Sequence, residues 1–207
     1  MNNVHLIDHP LLQHSLTRIR DASTSAVEFR RHAAIVAQIM VVEATRNLKM
    51  HQEKVITPLG TAAGYIIDQQ IVLVPVLRAG ISMLFPAKEL LPWVPVGFIG
   101  LERDERTAIA REYYQKFPAH LPEKLVMILD PMLATGGSLN DTITSLKKKG
   151  ALNICVICVV AAPEGIGFLQ KKHPEVSIYT AAIDSHLNDD RFIIPGLGDF
   201  GDRYFGT

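Results

Sequence analysis

The chain has 207 residues, 48% hydrophobic and 20% charged, ordinary values for one globular domain with a sizeable core. Lys+Arg and Asp+Glu are equal at 21 each, so the bulk charge offers no pull toward nucleic acid or an anionic membrane, and neither is expected as a partner. No apolar run approaches a membrane span, the first residues lack a basic stretch followed by an apolar one, and two cysteines do not make a disulfide framework, so a cytoplasmic protein is expected.

Residues 4–22 mix apolar and polar side chains around Pro10, which predicts a short arm with a helical turn. From Ser25 to Met50 the pattern is helical, without Gly or Pro, and Ser25 with Glu28 suits a capping box. Lys54–Ile67, carrying Pro58, Gly60 and Gly64, reads as two short strands around a turn. Ile71–Leu77 is a continuous β-branched and apolar run, suited to a strand buried on both faces. Ser82–Leu91 reads as a helix, against which Pro86 counts, and Val94–Leu101 as a strand. Lys124–Leu129 is a further strand. The helix after it has Leu139, Ile143 and Leu146 on one face and Gly150 placed to stop it. A strand at Asn153–Ala161, a helix at Pro163–Lys172 with Pro in its first turn, and a strand at Val176–Ile183 complete the regular part. Alternating strands and helices predict an α/β fold, a mostly parallel sheet flanked by helices.

Two segments break that rhythm. Glu102–Glu123 is charged, carries Arg103, Arg106 and Arg111, and reads as a short helix or hairpin; a connection of this length is usually functional, and a lid is expected. Asp184–Thr207 is rich in Gly, Asp and aromatics, too apolar for a disordered tail, and reads as an irregular cap. No repeat or linker divides the chain, so one domain spans 1–207, with an arm at 1–24, a lid at 102–123 and a C-terminal hood at 184–207.

The most informative stretch is Val126–Ser138, in which an apolar strand ends in Asp130 and a Thr135-Gly136-Gly137-Ser138 turn opens a helix. A helix N-terminus offers unpaired N–H groups and a positive dipole end, and glycines let that backbone approach an anion. A phosphate cradle is expected there, with Asp130 at the carboxyl end of its strand, where open α/β sheets bind ligands. An ordinary strand-to-helix turn seldom needs an acid, Thr, two Gly and Ser together. Neither a Gly-x-x-x-x-Gly-Lys-Ser/Thr loop nor a Gly-x-Gly-x-x-Gly opening a helix is present. Arg78-Ala79-Gly80 ends a second buried strand on the same sheet edge, where Arg78 suits bidentate phosphate binding or a solvated turn equally. Arg103 on the lid suits a pyrophosphate contact, although a solvated charged loop is the simpler reading. Asp199 and Asp202 suit ribose hydroxyls or a departing proton, or merely turns beside glycines. Cys155-Val-Ile-Cys158 lies within an apolar strand, where i and i+3 point to opposite faces; two core residues are expected rather than a metal or redox pair.

Asp130-Pro-Met-Leu-Ala-Thr-Gly-Gly-Ser138 resembles the 5-phosphoribosyl 1-pyrophosphate (PRPP) signature of type I phosphoribosyltransferases, in the variant of the uracil phosphoribosyltransferases. Ile193–Thr207 resembles that family's uracil-binding C-terminus, and Val74–Gly80, Glu43–Arg46 and Ala161–Gly165 are similar to its segments. The resemblance implies the type I phosphoribosyltransferase fold with a hood over the base site. It implies the reaction of uracil with PRPP to UMP and pyrophosphate, with Mg2+ accompanying PRPP. PRPP would be held by Arg78, Arg103, Asp130, Pro131, Met132, Leu133, Ala134, Thr135, Gly136, Gly137, Ser138 and Asp199. Uracil would be held by Ile193, Gly198, Asp199 and Phe200, and catalysis would involve Asp130, Asp199 and Arg103. The family is cytosolic and oligomeric, so a homo-oligomer is expected. Many bacterial members are activated by GTP, a trait that no motif here displays. The chain departs from the family pattern after Gly80 and in the lid. The competing reading is a PRPP-fold regulator that binds nucleotide or RNA with little catalysis, which should carry a basic stripe that this balanced composition does not suggest.

Overall fold

The β-branched run Ile71–Leu77 is a strand buried from Ile71 to Val76, because neighbours cover both of its faces. In the computed structural model, which describes residues 3–103 and 110–207, the first half of the chain runs β1 (Val4–Leu6), α1 (Pro10–Arg20), α2 (Ala26–Ala44), β2 (Met50–Thr57), β3 (Gly60–Ile67), β4 (Ile71–Leu77), α3 (Ile81–Leu90), β5 (Phe98–Arg103) and β6 (Ala110–Lys116). The second half runs β7 (Leu125–Leu129), β8 (Met132–Leu133), α4 (Gly137–Lys148), β9 (Asn153–Ala161), α5 (Pro163–Lys172), β10 (Ser177–Ile183), β11 (His186–Leu187), β12 (Ile193–Ile194) and α6 (Phe200–Phe205).

The main sheet has the order β1-β10-β9-β7-β4-β5-β6, with β8 also paired to β9. Every pairing is parallel except β5 with β6. Alternation along the strands divides the interior into two cores. Leu73, Met127, Leu129, Cys155 and Ile157 face α1, α2 and α3. Val72, Val74, Val126, Ile128, Val156 and Cys158 face α4 and α5. The two cysteines therefore lie in different cores, as their spacing predicts.

This topology locates the crevice. β4 and β7 are adjacent and parallel, yet the chain leaves β4 through α3 toward β5 and leaves β7 through α4 toward β9. The two helices pack on opposite faces, so the strand order reverses between β4 and β7. Ligands of open α/β sheets bind outside the carboxyl ends at such a point. Those ends are Leu77–Gly80 and Leu129–Asp130.

Several expectations are corrected. The N-terminal arm contributes an edge strand, β1, pairing with β10, and a full helix whose Leu12, Leu16 and Ile19 are buried. The next helix begins as predicted, with Ser25 Oγ accepting from the Glu28 N–H (3.3 Å), but ends at Ala44 instead of Met50. There Thr45 turns its hydroxyl back onto the Val41 (2.7 Å) and Val42 (3.0 Å) carbonyls, an alternative to continuing the helix. The lid segment contains a hairpin arm, β6, and a short 3-10 turn at Leu121–Glu123. Residues 104–109, including Arg106, and the side chains of Arg103 and Arg111 lie outside the description.

Candidate active site

Asp130 follows directly on β7, and the chain then makes the short strand β8 beside β9 before turning into α4. The Met132 N–H donates to Asp130 Oδ1 (3.3 Å), and the Asp130 N–H donates to the Ile157 carbonyl (3.2 Å), so the acid is fixed from both sides. The entrance to α4 has no side-chain cap. Gly136 stands there at φ +83°, a left-handed conformation natural to glycine, with Phe168 and the Gly165 carbonyl beside the place a Cβ would occupy. The Ser138 and Leu139 N–H groups in the first turn of α4 thus face the entrance without an intrahelical partner, and the helix dipole favours an anion there. Thr135 Oγ1 accepts from the Gly137 N–H at 3.4 Å.

Across the switch point, Gly80 abuts the Leu129 carbonyl and the Val76 backbone so closely that any Cβ would collide. That contact carries the start of α3 beneath the crevice and leaves Arg78 at its rim. Its side chain is 66% exposed, and a guanidinium nitrogen lies 3.8 Å from Asp202, a loose ion pair that a phosphate could displace.

The hood folds back over this edge. Asp199 caps α6, its Oδ1 accepting from the Asp202 N–H at 2.9 Å. Phe200 is buried edge-to-face on Phe29 of α2, ring centroids 5.0 Å apart. Arg203 donates to the carbonyls of Ile19 (2.5 Å), Leu197 (2.8 Å) and Asp21 (2.6 Å), and its guanidinium stacks on the Phe29 ring. Burial holds the Arg203 pKa below the usual arginine range. Arg20 makes a second clamp, bidentate to Asp184 (2.6 and 2.8 Å) and donating to the Gly196 carbonyl (2.6 Å), while the Gly196 N–H donates to Asp184 (2.8 Å).

The result is a cavity of about 310 Å³, near the lower end of small-molecule sites, roughly 300–1,000 Å³. Arg78, Asp130, Met132, Ala134, Ser138, Ile193, Gly198, Asp199 and Phe200 line it, joined from three distant parts of the chain. Of the remaining expected residues, Thr135, Gly136 and Gly137 flank the lining at the head of α4. Pro131 and Leu133 are buried and turned away from the cavity wall. Arg103 ends β5 opposite Ala110, its side chain outside the description.

A family model described as uracil phosphoribosyltransferase matches residues 6–207. The chain belongs to the uracil phosphoribosyltransferase family. It is 48% identical to the uracil phosphoribosyltransferase of Oceanobacillus iheyensis over the whole of both chains, and 49% identical to that of Dictyoglomus turgidum over 99% of each. Among solved structures it superposes on a protein from Aquifex aeolicus with a TM-score of 0.93 and 37% identity, covering 99% of this chain and 98% of that one. Its likeness to the adenine phosphoribosyltransferase of Giardia lamblia, at 14% identity and a TM-score of 0.52 over 74% of this chain and 80% of that one, shows the shared type I fold alone.

Sequence reasoning about this uracil phosphoribosyltransferase family member missed Asp190, Arg191 and Phe192, which also line the cavity, and the Arg20–Asp184 clamp. Asn188-Asp189-Asp190-Arg191 reads as any polar turn, and nothing in periodicity marks it as facing a ligand. Arg20 sits in an N-terminal segment whose partner is 164 residues away. The unusual backbone of the turn becomes visible only in the fold.

Proposed function

We propose that the chain transfers the 5-phosphoribosyl group of PRPP to N1 of uracil, releasing UMP and pyrophosphate. The observation that carries this reading is the convergence of the Asp130–Ser138 loop and the Ile193–Phe200 hood on one cavity at the switch point. In the reaction the C1–O bond to pyrophosphate breaks, the C1–N1 bond forms, and the proton of N1 departs. Positive charge develops on the ribosyl group and negative charge on the leaving group. Catalysis is therefore chiefly positioning and charge stabilisation.

The positions of these residues support the roles that the family resemblance implies for them. Thr135–Ser138 seats the 5-phosphate at the head of α4, and Asp130 takes the ribose hydroxyls. Arg78 takes the pyrophosphate, joined by Arg103 from the lid. Ile193, Gly198 and Phe200 hold uracil, whose donor and acceptor edge suits the backbone groups of this irregular segment. Asp199 has one oxygen engaged by the Asp202 N–H, and its Oδ2 is assigned to PRPP and to the proton leaving N1. Cytosine would set its amino group against a donor, an unpaired contact that is costly when buried.

No cluster of three or more His, Cys, Asp or Glu side chains able to hold a metal lies among the described residues. Mg2+ brought by PRPP would keep phosphate and water oxygens and need one or two carboxylates at most, and Asp130 and Asp199 line the cavity to supply them. Held there, the ion would supply neutralisation of charge on the pyrophosphate. The β2–β3 hairpin stands apart as its own two-stranded sheet, with Ile56 at 91% and Leu59 at 101% exposure. Such hairpins are marginal alone, and exposed apolar surface marks contacts, which supports a homo-oligomer joined through this arm. No helix among the described residues is long and apolar enough to cross a membrane, and a cytoplasmic location fits the reading. The regulator alternative is not favoured, because the family match covers both the PRPP loop and the hood.

The test is a panel of uracil, cytosine, hypoxanthine and orotate with PRPP and Mg2+, with and without GTP. UMP should form from uracil alone, and its absence would sink the assignment. A GTP-dependent rise in rate would add allosteric activation.

A further inference from the structure

The turn at the tip of the β11–β12 hairpin holds a conformation its sequence does not favour. Arg191 has φ +65°, in the left-handed region where glycine is the usual occupant. Asn188 enforces it. The Arg191 N–H donates to the Asn188 carbonyl (2.9 Å), the Asn188 N–H donates to the Phe192 carbonyl (2.9 Å), and the Phe192 N–H donates to Asn188 Oδ1 (2.8 Å). Among the described residues, His120 is the other non-glycine at positive φ, and it does not line the cavity. Backbone outliers persist where the surroundings hold them, and they gather at ligand sites.

Charge gives the second line of argument. The described lining residues include three acids, Asp130, Asp190 and Asp199, against two cations, Arg78 and Arg191. Arg78 is shared with Asp202. Arg191 has no ion pair among the described residues. With acids outnumbering cations in the described lining, each cation turned to a polyanionic substrate gains in weight, beside the head of α4 and the Mg2+ that accompanies PRPP. A guanidinium suits paired phosphate oxygens in geometry as well as charge.

The geometry points to Arg191 as a further substrate-positioning residue, its guanidinium contacting the pyrophosphate of PRPP from the hood side of the cavity. The inference rests on the phosphoribosyl-transfer reading above. It accounts for an arginine where the backbone asks for glycine, because the side chain at this position serves the ligand and the local conformation bears the cost.

The experiment compares the parent with Arg191→Gly and Arg191→Lys. Glycine relaxes the turn, so R191G should keep or raise the Tm of the parent. Its KM for PRPP should rise roughly 5–10-fold, with the KM for uracil within about twofold, as expected for loss of a charge-assisted contact. Calorimetric binding of inorganic pyrophosphate should weaken by a similar factor, while binding of ribose 5-phosphate stays as in the parent. R191K should recover part of the loss. Equal PRPP and pyrophosphate affinity in R191G and parent would overturn the inference, as would a loss confined to uracil or to ribose 5-phosphate. Absence of UMP formation in the parent would instead refute the reaction itself, and pyrophosphate binding still reads the role of Arg191 in that case.

Discussion

Asp184→Ala tests whether the hood is held over the cavity by one clamp. Asp184 is 6% exposed at its side chain and Arg20 is 25% exposed, so the pair is largely shielded from water. Removing one partner of a fully buried pair costs about 3–5 kcal/mol, and the partial exposure of Arg20 lowers that. The buried Gly196 N–H also loses its acceptor, worth about 1–3 kcal/mol, but the two losses overlap because Arg20 can still reach the Gly196 carbonyl. A net cost of about 3 kcal/mol is expected, which for a chain of this size corresponds to a fall in Tm of roughly 6–12 °C. Asp184→Asn keeps an acceptor for Gly196 and should lose about 1–2 kcal/mol. Because Gly196 lies between Ile193 and Gly198, the functional effect should fall on the base. A KM for uracil about tenfold higher is expected, equivalent to 1.4 kcal/mol, with the KM for PRPP little changed. Calorimetric melting at fixed protein concentration, beside initial rates with each substrate varied, measures both effects. A parent-like Tm together with an unchanged uracil KM would refute the reasoning.

Asp130→Asn retains an acceptor for the Met132 N–H, so folding should survive, while kcat/KM falls about 10²–10³-fold, the scale on which a single transition-state group matters; turnover near the parent's would remove Asp130 from the mechanism. Burial pushes the Cys155 and Cys158 thiols up to about 12, so neither carries thiolate at neutral pH. An alkylating reagent followed by mass spectrometry should leave the native protein unmodified and label both sites in urea, and rapid native labelling would contradict the buried placement. His173 is held neutral, its Nδ1 accepting from Lys147 (2.8 Å) and its Nε2 facing the Asn140 side-chain oxygen (3.1 Å). Burial first, then the Lys147 ammonium, keep its pKa below the usual 6.5, against the opposing pull of Glu175. A depressed folded-state pKa means the stabilisation is present above pH 6.5 and is lost as pH falls through the folded value. The Tm should therefore drop on acidification below neutrality, less steeply in His173→Gln, and identical pH profiles would show the ring is not the titrating group.

What the sequence determined by itself is what local chemistry and periodicity can specify. Ile71–Leu77, Asn153–Ala161 and Pro163–Lys172 have the predicted bounds because strand and helix periods, and a proline in a first turn, act over a few residues. The strand-to-helix turn at 130–138 was legible as a candidate anion site because an acid, glycines and hydroxyls crowd it, and it lines the cavity of the fold. The family resemblance suggested a hood at the C-terminus, and the full-length match shows the family to which the chain belongs. Only the tertiary structure decided the rest. β1 needs β10 to be a strand at all, since three residues cannot bury their own backbone groups. Arg20 and Asp184 become a clamp, and Asp190, Arg191 and Phe192 become a cavity wall, only when the C-terminus folds back across the switch point. Those relations join residues far apart in the chain, and no pattern within a window of sequence carries the distance between them.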